Sequence, residues 1–427
     1  MQEKVVVIKK GVKLHLIKNN KFKTNLISVF ITRELNRQEV TKNALIPAIL
    51  RRGTENLKTQ EEINKQLENM YGANFNCGIE KTGDNHVIKF YIEALNDNFI
   101  SDTESLVQNS INTLFDIVFN PFIIDNKFNS EYVDGEKNNL KQIIDSKIDN
   151  KNLYSLIRCT EEMYKNKPYS LYKYGYIEDL EDINASNLYQ YYIKVINESK
   201  IDIFISGDLD NNKIENIVRE NSNIKNLKDR DGKFIINSQD SENIDNKHVN
   251  KVEEKMDITQ GKLVIGLNIN NISKEDKNSM FDIVLYNTIL GDSANSKLFQ
   301  NVREKAHLAY TTRSTYIRPK NIIFVRAGIE IDNYQKALDI IKEQLEDMKS
   351  GNFSDEEINN AKNYIYSFIN SIEEEQDTEI TYYFGQELSQ TFYSPEEYRK
   401  NIELVNKEKI INIANKISIN TIYFLRK

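Results

Sequence analysis

The sequence contains few of the residues from which disulfide frameworks and metal sites are built. It has two cysteines, four histidines and no tryptophan among 427 residues. Two cysteines cannot form a disulfide framework, so we interpret Cys77 and Cys159 as small buried side chains in a reducing compartment. The histidines stand far apart, at His15, His86, His248 and His307. The sequence therefore excludes a metal site made from two histidines one helical turn apart.

Long hydrophobic runs and excess positive charge are also missing. The N-terminal segment has four consecutive apolar residues, from Val5 to Ile8, which is too short for the core of a signal peptide. No apolar run approaches the roughly 20 residues of a membrane span. The net charge of −7 argues against a nucleic-acid or anionic-membrane partner, which favours a basic face. We predict a soluble cytoplasmic protein without a nucleic-acid or membrane partner.

Strands and helices alternate along both halves of the sequence in the same order. The segment 222–256 is rich in Asn, Lys, Asp, Ser and Glu and has little periodicity, which is typical of a linker. The element order after it repeats the order before it at an offset of about 235 residues. We predict an α+β fold with two homologous domains, 1–221 and 257–427, joined by this linker. Each domain should be a mostly antiparallel sheet with helices packed on one face.

Helix boundaries are marked by local signals. Capping boxes begin at Thr59, Ser354 and Ser394, each followed three residues later by Glu. Gly53 and Gly351 stand where helices are predicted to end.

One segment carries a more specific pattern than the element order. It reads Leu290-Gly-Asp-Ser-Ala-Asn-Ser-Lys-Leu-Phe-Gln-Asn-Val-Arg-Glu-Lys-Ala-His-Leu-Ala-Tyr310. This resembles the second-domain signature of the M16 peptidases, the insulinase-like and processing-peptidase-like family. The stretch from Asn43 to Thr54, followed by the Thr59 helix, resembles the segment that holds the zinc motif of that family. The chain is most similar to the bacterial YmfF-like subset, whose members pair with a zinc-bearing relative.

The zinc motif itself is missing. Family peptidases bind zinc through a His-x-x-Glu-His helix and a distant third ligand. The resemblance aligns the two histidines and the glutamate with Ala44, Ala48 and Pro47, and the third ligand with Gln142 or Ile143. Neither alanine can bind a metal, and Pro47 cannot act as a base. We therefore expect no cofactor on this chain and no peptidase activity from the chain alone.

Arg303 and Tyr310 occupy the positions of an Arg/Tyr pair that the family keeps. The resemblance implies that this pair holds the substrate carbonyl and the tetrahedral oxyanion at a zinc site on a partner subunit, a role that suits a guanidinium and a phenol. The alternative is a solvated arginine and a half-buried core tyrosine. His307 replaces a family glycine, so we predict a left-handed backbone there. The loop Gly291–Ser296 is either a substrate contact or an ordinary connection.

These observations favour a non-catalytic, substrate-binding subunit of a heterodimeric M16-type zinc processing peptidase. Its partners would be a zinc-bearing paralogue, which supplies the zinc, and an extended peptide bound by strand addition. The isolated chain could form a homodimer through the surface meant for its partner. The alternative is a peptidase-derived binding or scaffold protein with no proteolytic role. An independent hydrolase lacks a nucleophile and base in a recognisable pattern.

Overall fold

The computed structural model describes residues 3–100, 105–236, 248–272 and 278–427. The chain forms two compact units, and both are discontinuous in sequence. The first unit comprises Met1–Ser146, Leu171–Ile235 and Glu373–Leu388, and the second comprises Lys147–Ser170, Ile236–Ile372 and Ser389–Lys427. No helix in the described ranges is long and apolar enough to cross a membrane.

The first unit contains a six-stranded sheet in the order β1-β2-β8-β3-β5-β4. Its strands are β1 (Glu3–Lys9), β2 (Val12–Lys18), β3 (Thr24–Glu34), β4 (Asn74–Thr82), β5 (Asn85–Leu95) and β8 (Lys200–Gly207). Only the β2–β8 pair of this sheet is parallel. Two short strands, β6 (Ile123–Ile124) and β7 (Lys127–Phe128), form a separate hairpin.

The helices of the first unit are α1 (Val40–Leu50), α2 (Gln60–Asn69), α3 (Leu106–Phe119), α4 (Ser130–Asp145), α6 (Ala185–Glu198), α7 (Asn211–Glu220), α8 (Ser222–Asn226) and α12 (Gln376–Ser389). The predicted capping box at Thr59 is confirmed, because its hydroxyl accepts from the backbone of Glu62 and the Glu62 side chain accepts from the backbone of Thr59. The predicted end of α1 also agrees with the structure within about two residues.

The second unit contains a five-stranded sheet in the order β11-β12-β10-β13-β9. Its strands are β9 (Asn250–Lys255), β10 (Gly261–Ile269), β11 (Ala309–Ile317), β12 (Ile322–Ile329) and β13 (Ile417–Arg426), and only β9–β13 is parallel. Its helices are α5 (Lys151–Met163), α9 (Ser279–Asn287), α10 (Tyr334–Ser350), α11 (Asp355–Ile372), α13 (Pro395–Glu403) and α14 (Lys407–Ala414). The capping boxes predicted at Ser354 and Ser394 are both present.

The two sheets have the same internal order. Strands β2-β8-β3-β5-β4 of the first sheet correspond to β9-β13-β10-β12-β11 of the second, and the parallel pair stands at the same place in each. Strands β4 and β11 begin at residues 74 and 309, which is the offset that the sequence predicts. The structure therefore agrees with a duplicated unit and with mostly antiparallel sheets.

Each sheet carries one helix from the other half of the sequence, on the face opposite its own helices. In the first unit, Ile380 and Phe384 of α12 pack against Phe30 and Phe204 of the sheet. In the second unit, Cys159 and other residues of α5 pack in the same way on one face of β10 and β13. The expected arrangement, with helices on one face only, is therefore incomplete. Periodicity could not reveal this exchange, because an amphipathic helix does not specify which sheet it covers.

Because of this exchange, the limits of the compact units differ from the predicted domain boundaries at residues 221 and 257. The predicted linker 222–256 includes ordered elements, since α8 and β9 lie within it and Arg230 is buried. Residues 237–247 of that segment lie outside the described part. The sequence domains 1–221 and 257–427 thus stay a prediction about the duplicated halves, not a description of the compact units.

Candidate functional site

Helix α1 presents alkyl groups where the family motif would present zinc ligands. Ala44 and Pro47 are buried, and Ala48 is half-buried. Pro47 lies inside the helix and lacks the N–H that would donate to the carbonyl of Asn43. Its own carbonyl oxygen accepts from the Cys77 thiol of β4 at 3.3 Å. This stretch of helix is therefore built for packing, and its side chains do not fit a zinc ion.

A histidine does lie beside α1, but it is held as a neutral core residue. The His86 Nδ1 lies 3.1 Å from the side-chain nitrogen of Asn43, whose oxygen accepts from the Tyr191 hydroxyl at 2.9 Å. Burial, together with the nearby cations of Lys173 and Lys81, lowers the pKa of His86 to about 4. Its role as a structural residue agrees with the sequence-based interpretation.

The position of the third family ligand is also chemically unsuited to zinc. Ile143 is 42% exposed near the end of α4 and has only an alkyl side chain. The nearby carboxylate of Glu136 is buried and accepts from Arg52 Nε at 2.5 Å and from Asn139 at 3.1 Å. Among the residues that the structure describes, no group of three or more His, Cys, Asp or Glu side chains could hold a metal ion.

The segment that carries the M16 signature contains two π-helical stretches. Helix α9 continues directly into the first, Thr288–Asp292, and the second is Phe299–Lys305. Such stretches are uncommon and frequently occur at functional sites. A Cβ added to Gly291 would lie 2.7 Å from the backbone nitrogen of Ser314, so glycine is required here by close packing. Of the two interpretations of this loop, the structural one is sufficient for Gly291.

Arg303 lies in the second π-helical stretch and points away from the core. Its side chain is 44% exposed and its Nε stands 3.6 Å from Glu304 Oε1. The guanidinium carbon lies 4.7 Å from the ring centroid of Phe299, one helical turn earlier. Both neighbours are local, so among the described residues the guanidinium has N–H donors that face solvent. This geometry is compatible with both interpretations of Arg303, a solvated charge and a guanidinium that binds a ligand.

The turn between Arg303 and Tyr310 confirms the prediction for His307. This residue has a φ of 54°, in the left-handed region. Its N–H donates to the carbonyl of Arg303 at 3.2 Å, and the N–H of Leu308 donates to Val302 at 3.0 Å. These bonds satisfy carbonyls at the helix end and turn the chain directly into β11.

Tyr310 is exposed at the start of β11. Ala309 pairs with Ile329 and Thr311 pairs with Gly328, so Tyr310 is the extra residue of a β-bulge. Its side chain is 60% exposed, and its hydroxyl reaches Glu330 at 3.4 Å. The interpretation of Tyr310 as half-buried core is therefore wrong. The structure gives Arg303 and Tyr310 separate partners and leaves both accessible.

Sequence reasoning missed a buried charged cluster in the first unit. His15 on β2 contacts Glu3 through Nδ1 at 2.7 Å and Asp202 through Nε2 at 3.2 Å. Asp202 also binds Lys200, which in turn lies 3.2 Å from Glu387 of α12. Four of these five residues belong to the neighbouring strands β1, β2 and β8, so a correct prediction of strand pairing would have brought them together. Glu387 could not be added in this way, because α12 is far away in sequence.

The comparisons with known proteins agree with this geometry. Residues 182–365 match the family model described as Peptidase M16 inactive domain. The chain is 34% identical over 419 residues to a probable inactive metalloprotease, YmfF, of Bacillus subtilis, covering 97% of this chain and 96% of that protein. It is 26% identical over 215 residues to an uncharacterized zinc protease, YmfH, of the same bacterium, covering 50% and 48%.

Solved structures with the same architecture cover the whole chain. A conserved protein from Enterococcus faecalis matches with a TM-score of 0.88 and 27% identity, over 100% of this chain and 99% of that one. A peptidase M16 inactive domain from Pseudomonas fluorescens matches with a TM-score of 0.80 and 15% identity, over 100% and 98%. The second likeness, at this identity, is evidence of fold alone. Together with the full-length relative, these findings place the chain in the M16 peptidase family, among the members that lack the zinc motif.

Proposed function

We propose that the chain is the substrate-binding subunit of a heterodimeric M16-type zinc processing peptidase. The partner would be a zinc-bearing paralogue, and Arg303 and Tyr310 of this chain would complete the partner's active site. One observation carries the proposal. Helix α1 has no zinc ligand, whereas Arg303 and Tyr310, the pair that the resemblance implies, are both exposed.

Local structure supports a role for this pair. The β-bulge and the left-handed His307 both act on the short connection that delivers Tyr310 to the surface. A bulge re-aims a side chain away from the regular alternation of a strand, and bulges are common beside active sites. A solvated tyrosine needs neither feature. These devices are expected where a phenol must stand at a defined place.

The chemistry assigned to the pair is electrostatic. A guanidinium is permanently charged and offers several N–H donors, and a phenol offers one directed donor. Placed against the carbonyl oxygen of a scissile peptide, both would stabilise the negative charge that develops when water attacks. Zinc on the partner would supply the Lewis acid and the activated water when it is bound. This chain's own residues would bind and orient the substrate.

Relatives make such a partner plausible. Bacillus subtilis has both the full-length YmfF relative, named as inactive, and YmfH, named as a zinc protease. An organism that holds both types of chain has the two components that a mixed complex would need.

Reconstitution tests the proposal. This chain would be mixed with a zinc-bearing paralogue from the same genome, and hydrolysis of a quenched peptide library would be followed. We expect activity that neither chain shows alone. Arg303→Ala should reduce kcat by about 10²–10³, the usual cost of losing an oxyanion donor. Tyr310→Phe should reduce kcat while leaving complex formation intact.

Arg399→Ala is the matched control. Arg399 is another arginine of the second unit whose guanidinium lies 5.0 Å from an aromatic centroid, that of Tyr366. It should leave kcat unchanged. Full activity of the Arg303→Ala complex would refute the assigned role. A stable complex without activity under any condition would favour the scaffold function instead.

A further inference from the structure

One face of the second sheet carries three cations close together. Across β10, β12 and β11, Val264 pairs with Arg326, and Arg326 pairs with Arg313. Lys262, two residues before Val264 on β10, pairs with Gly328, two residues after Arg326 on β12. Directly paired residues, and residues two apart on one strand, project from the same face of a sheet. Lys262, Arg313 and Arg326 therefore share one face.

In the described part of the chain, Arg313 is the one member of this group of three cations with a carboxylate partner. Arg313 and Arg326 stand directly opposite each other, an arrangement that destabilises a sheet when both residues have the same charge. Arg313 binds Asp292 Oδ1 through Nε at 3.0 Å and Nη2 at 2.8 Å. Arg326 instead donates to the neutral hydroxyl of Thr315 at 3.4 Å. Asp292 thus pairs with one of the two guanidinium groups.

Lys262 has a neutral partner as well, because its ammonium bonds the side-chain oxygen of Gln260. Burial lowers the pKa of Lys262. Burial and the neighbouring Arg313 lower the pKa of Arg326. A half-buried cation without a counter-ion costs free energy that a neutral residue would not cost. Such an arrangement is expected where the charge serves binding.

The surface beside Lys262 offers room for a ligand. Gly328 lies between Lys262 and Thr311 on this face, and the side chains of Gln260 and Thr311 pack closely over it. A Cβ there would lie 3.1 Å from both Gln260 Oε1 and Thr311 Oγ1. Lys262 and Gln260 line a groove of about 820 Å³, and Arg313 and Arg326 are not among its lining residues.

Two carboxylates line that groove as well, those of Asp149 and Asp257. In the described part of the chain neither of them lies within salt-bridge distance of Lys262.

We propose that this face binds carboxylate side chains of an acidic peptide, with Arg326 as the principal contact and Arg313 and Lys262 as secondary ones. Strand β11 is the edge of its sheet, so an extended peptide can pair with its free side. Acidic side chains of that peptide would then reach the guanidinium groups. The inference rests on the proposed peptide-binding function and specifies the class of peptide.

Fluorescence anisotropy with the full chain tests this selectivity. Three labelled ten-residue peptides would share one sequence except for Glu, Gln or Lys at alternate positions. We expect the Glu peptide to bind about tenfold more tightly than the Gln peptide at low salt, and the preference to shrink as salt is added. Arg326→Gln should abolish the preference, and Lys262→Gln should weaken it about threefold. Lys400→Gln, which removes a 69% exposed cation paired with Glu396, should leave it unchanged.

Thermal unfolding separates binding from structure. Arg326→Gln relieves a like-charge pair, so the apparent Tm should be equal to or higher than that of the wild type. A fall of more than about 3 °C would show that Arg326 is structural and would overturn the inference. Equal binding of all three peptides, or binding of none, would also overturn it. Reconstituted peptidase activity would still test the subunit function separately.

Discussion

Substitution of Asp202 by Asn should strongly destabilise the first unit. Asp202 is fully buried and lies at the centre of the buried charged cluster. It accepts from Lys200 and lies 3.2 Å from His15 Nε2. Burial favours its neutral form, but the charges of Lys200 and His15 outweigh burial and lower the pKa of the carboxyl. The carboxylate is therefore ionised in the folded chain at neutral pH.

The expected cost follows from what remains after the substitution. Lys200 keeps Glu387 at 3.2 Å, and His15 keeps Glu3 at 2.7 Å, so neither cation loses every partner. Breaking a buried ion pair by removing one side typically costs about 3–5 kcal/mol. Because both cations keep a second carboxylate, we expect a loss near the lower limit, about 3 kcal/mol. Docking of α12 should weaken with it, since Glu387 belongs to that helix.

Urea unfolding followed by far-UV circular dichroism measures this loss, with calorimetry to separate the transitions of the two units. Glu396→Gln is the control, since it removes a carboxylate from an exposed pair with Lys400 and should leave the free energy of unfolding nearly unchanged. A loss below about 1 kcal/mol for Asp202→Asn would refute the reasoning. It would mean that the cluster contributes no more than a surface pair.

Further predictions follow from single contacts. In His15→Gln the free energy of unfolding should depend less on pH above about 6.5 than in the wild type. Burial alone would lower the pKa of His15, but hydrogen bonds to Asp202 and Glu3 outweigh burial and raise it. The contribution of His15 to stability is therefore complete below its pKa in the unfolded chain and is lost as the pH rises through its pKa in the folded chain. Gly291→Ala should cost about 1–3 kcal/mol in chemical denaturation, since the new Cβ would meet the backbone of Ser314 at 2.7 Å. Cys159 is buried as predicted, whereas Cys77 is only half-buried. Both should react with a thiol reagent at pH 8 only after unfolding, because burial raises the pKa of both thiols, that of Cys77 to about 11; rapid reaction of the folded chain would contradict this.

Much of the fold can be predicted from the sequence, because helix ends and strand alternation are set by residues that are close together in the chain. The box of Thr59 and Glu62 fixes a helix start through two hydrogen bonds between residues three apart. Alternation along β10 and β12 is likewise a property of neighbouring residues. The exchange of α5 and α12 between the sheets is not local. It depends on which apolar surface each helix finds after folding, and no periodicity encodes that choice.

The site shows the same contrast. The missing zinc ligands at Ala44 and Ala48 could be inferred from residue identity alone, because no arrangement of alkyl groups binds a metal. The left-handed His307 could be predicted because it stands at a helix end where glycine is usual. The exposure of Tyr310 and the pairing of Arg326 with a neutral hydroxyl could not be predicted from the sequence. Both depend on strand register, and the first also depends on a bulge that the pattern of residues does not reveal.

Metal analysis gives the most direct test of the central claim that this chain depends on another polypeptide for zinc. The purified chain and its complex with a zinc-bearing paralogue would be dialysed against micromolar zinc and then measured by mass spectrometry of the metal. We predict well below about 0.1 zinc per isolated chain and about one zinc per heterodimer, as expected for a single catalytic site. Stoichiometric zinc on the isolated chain, retained after dialysis, would contradict the account.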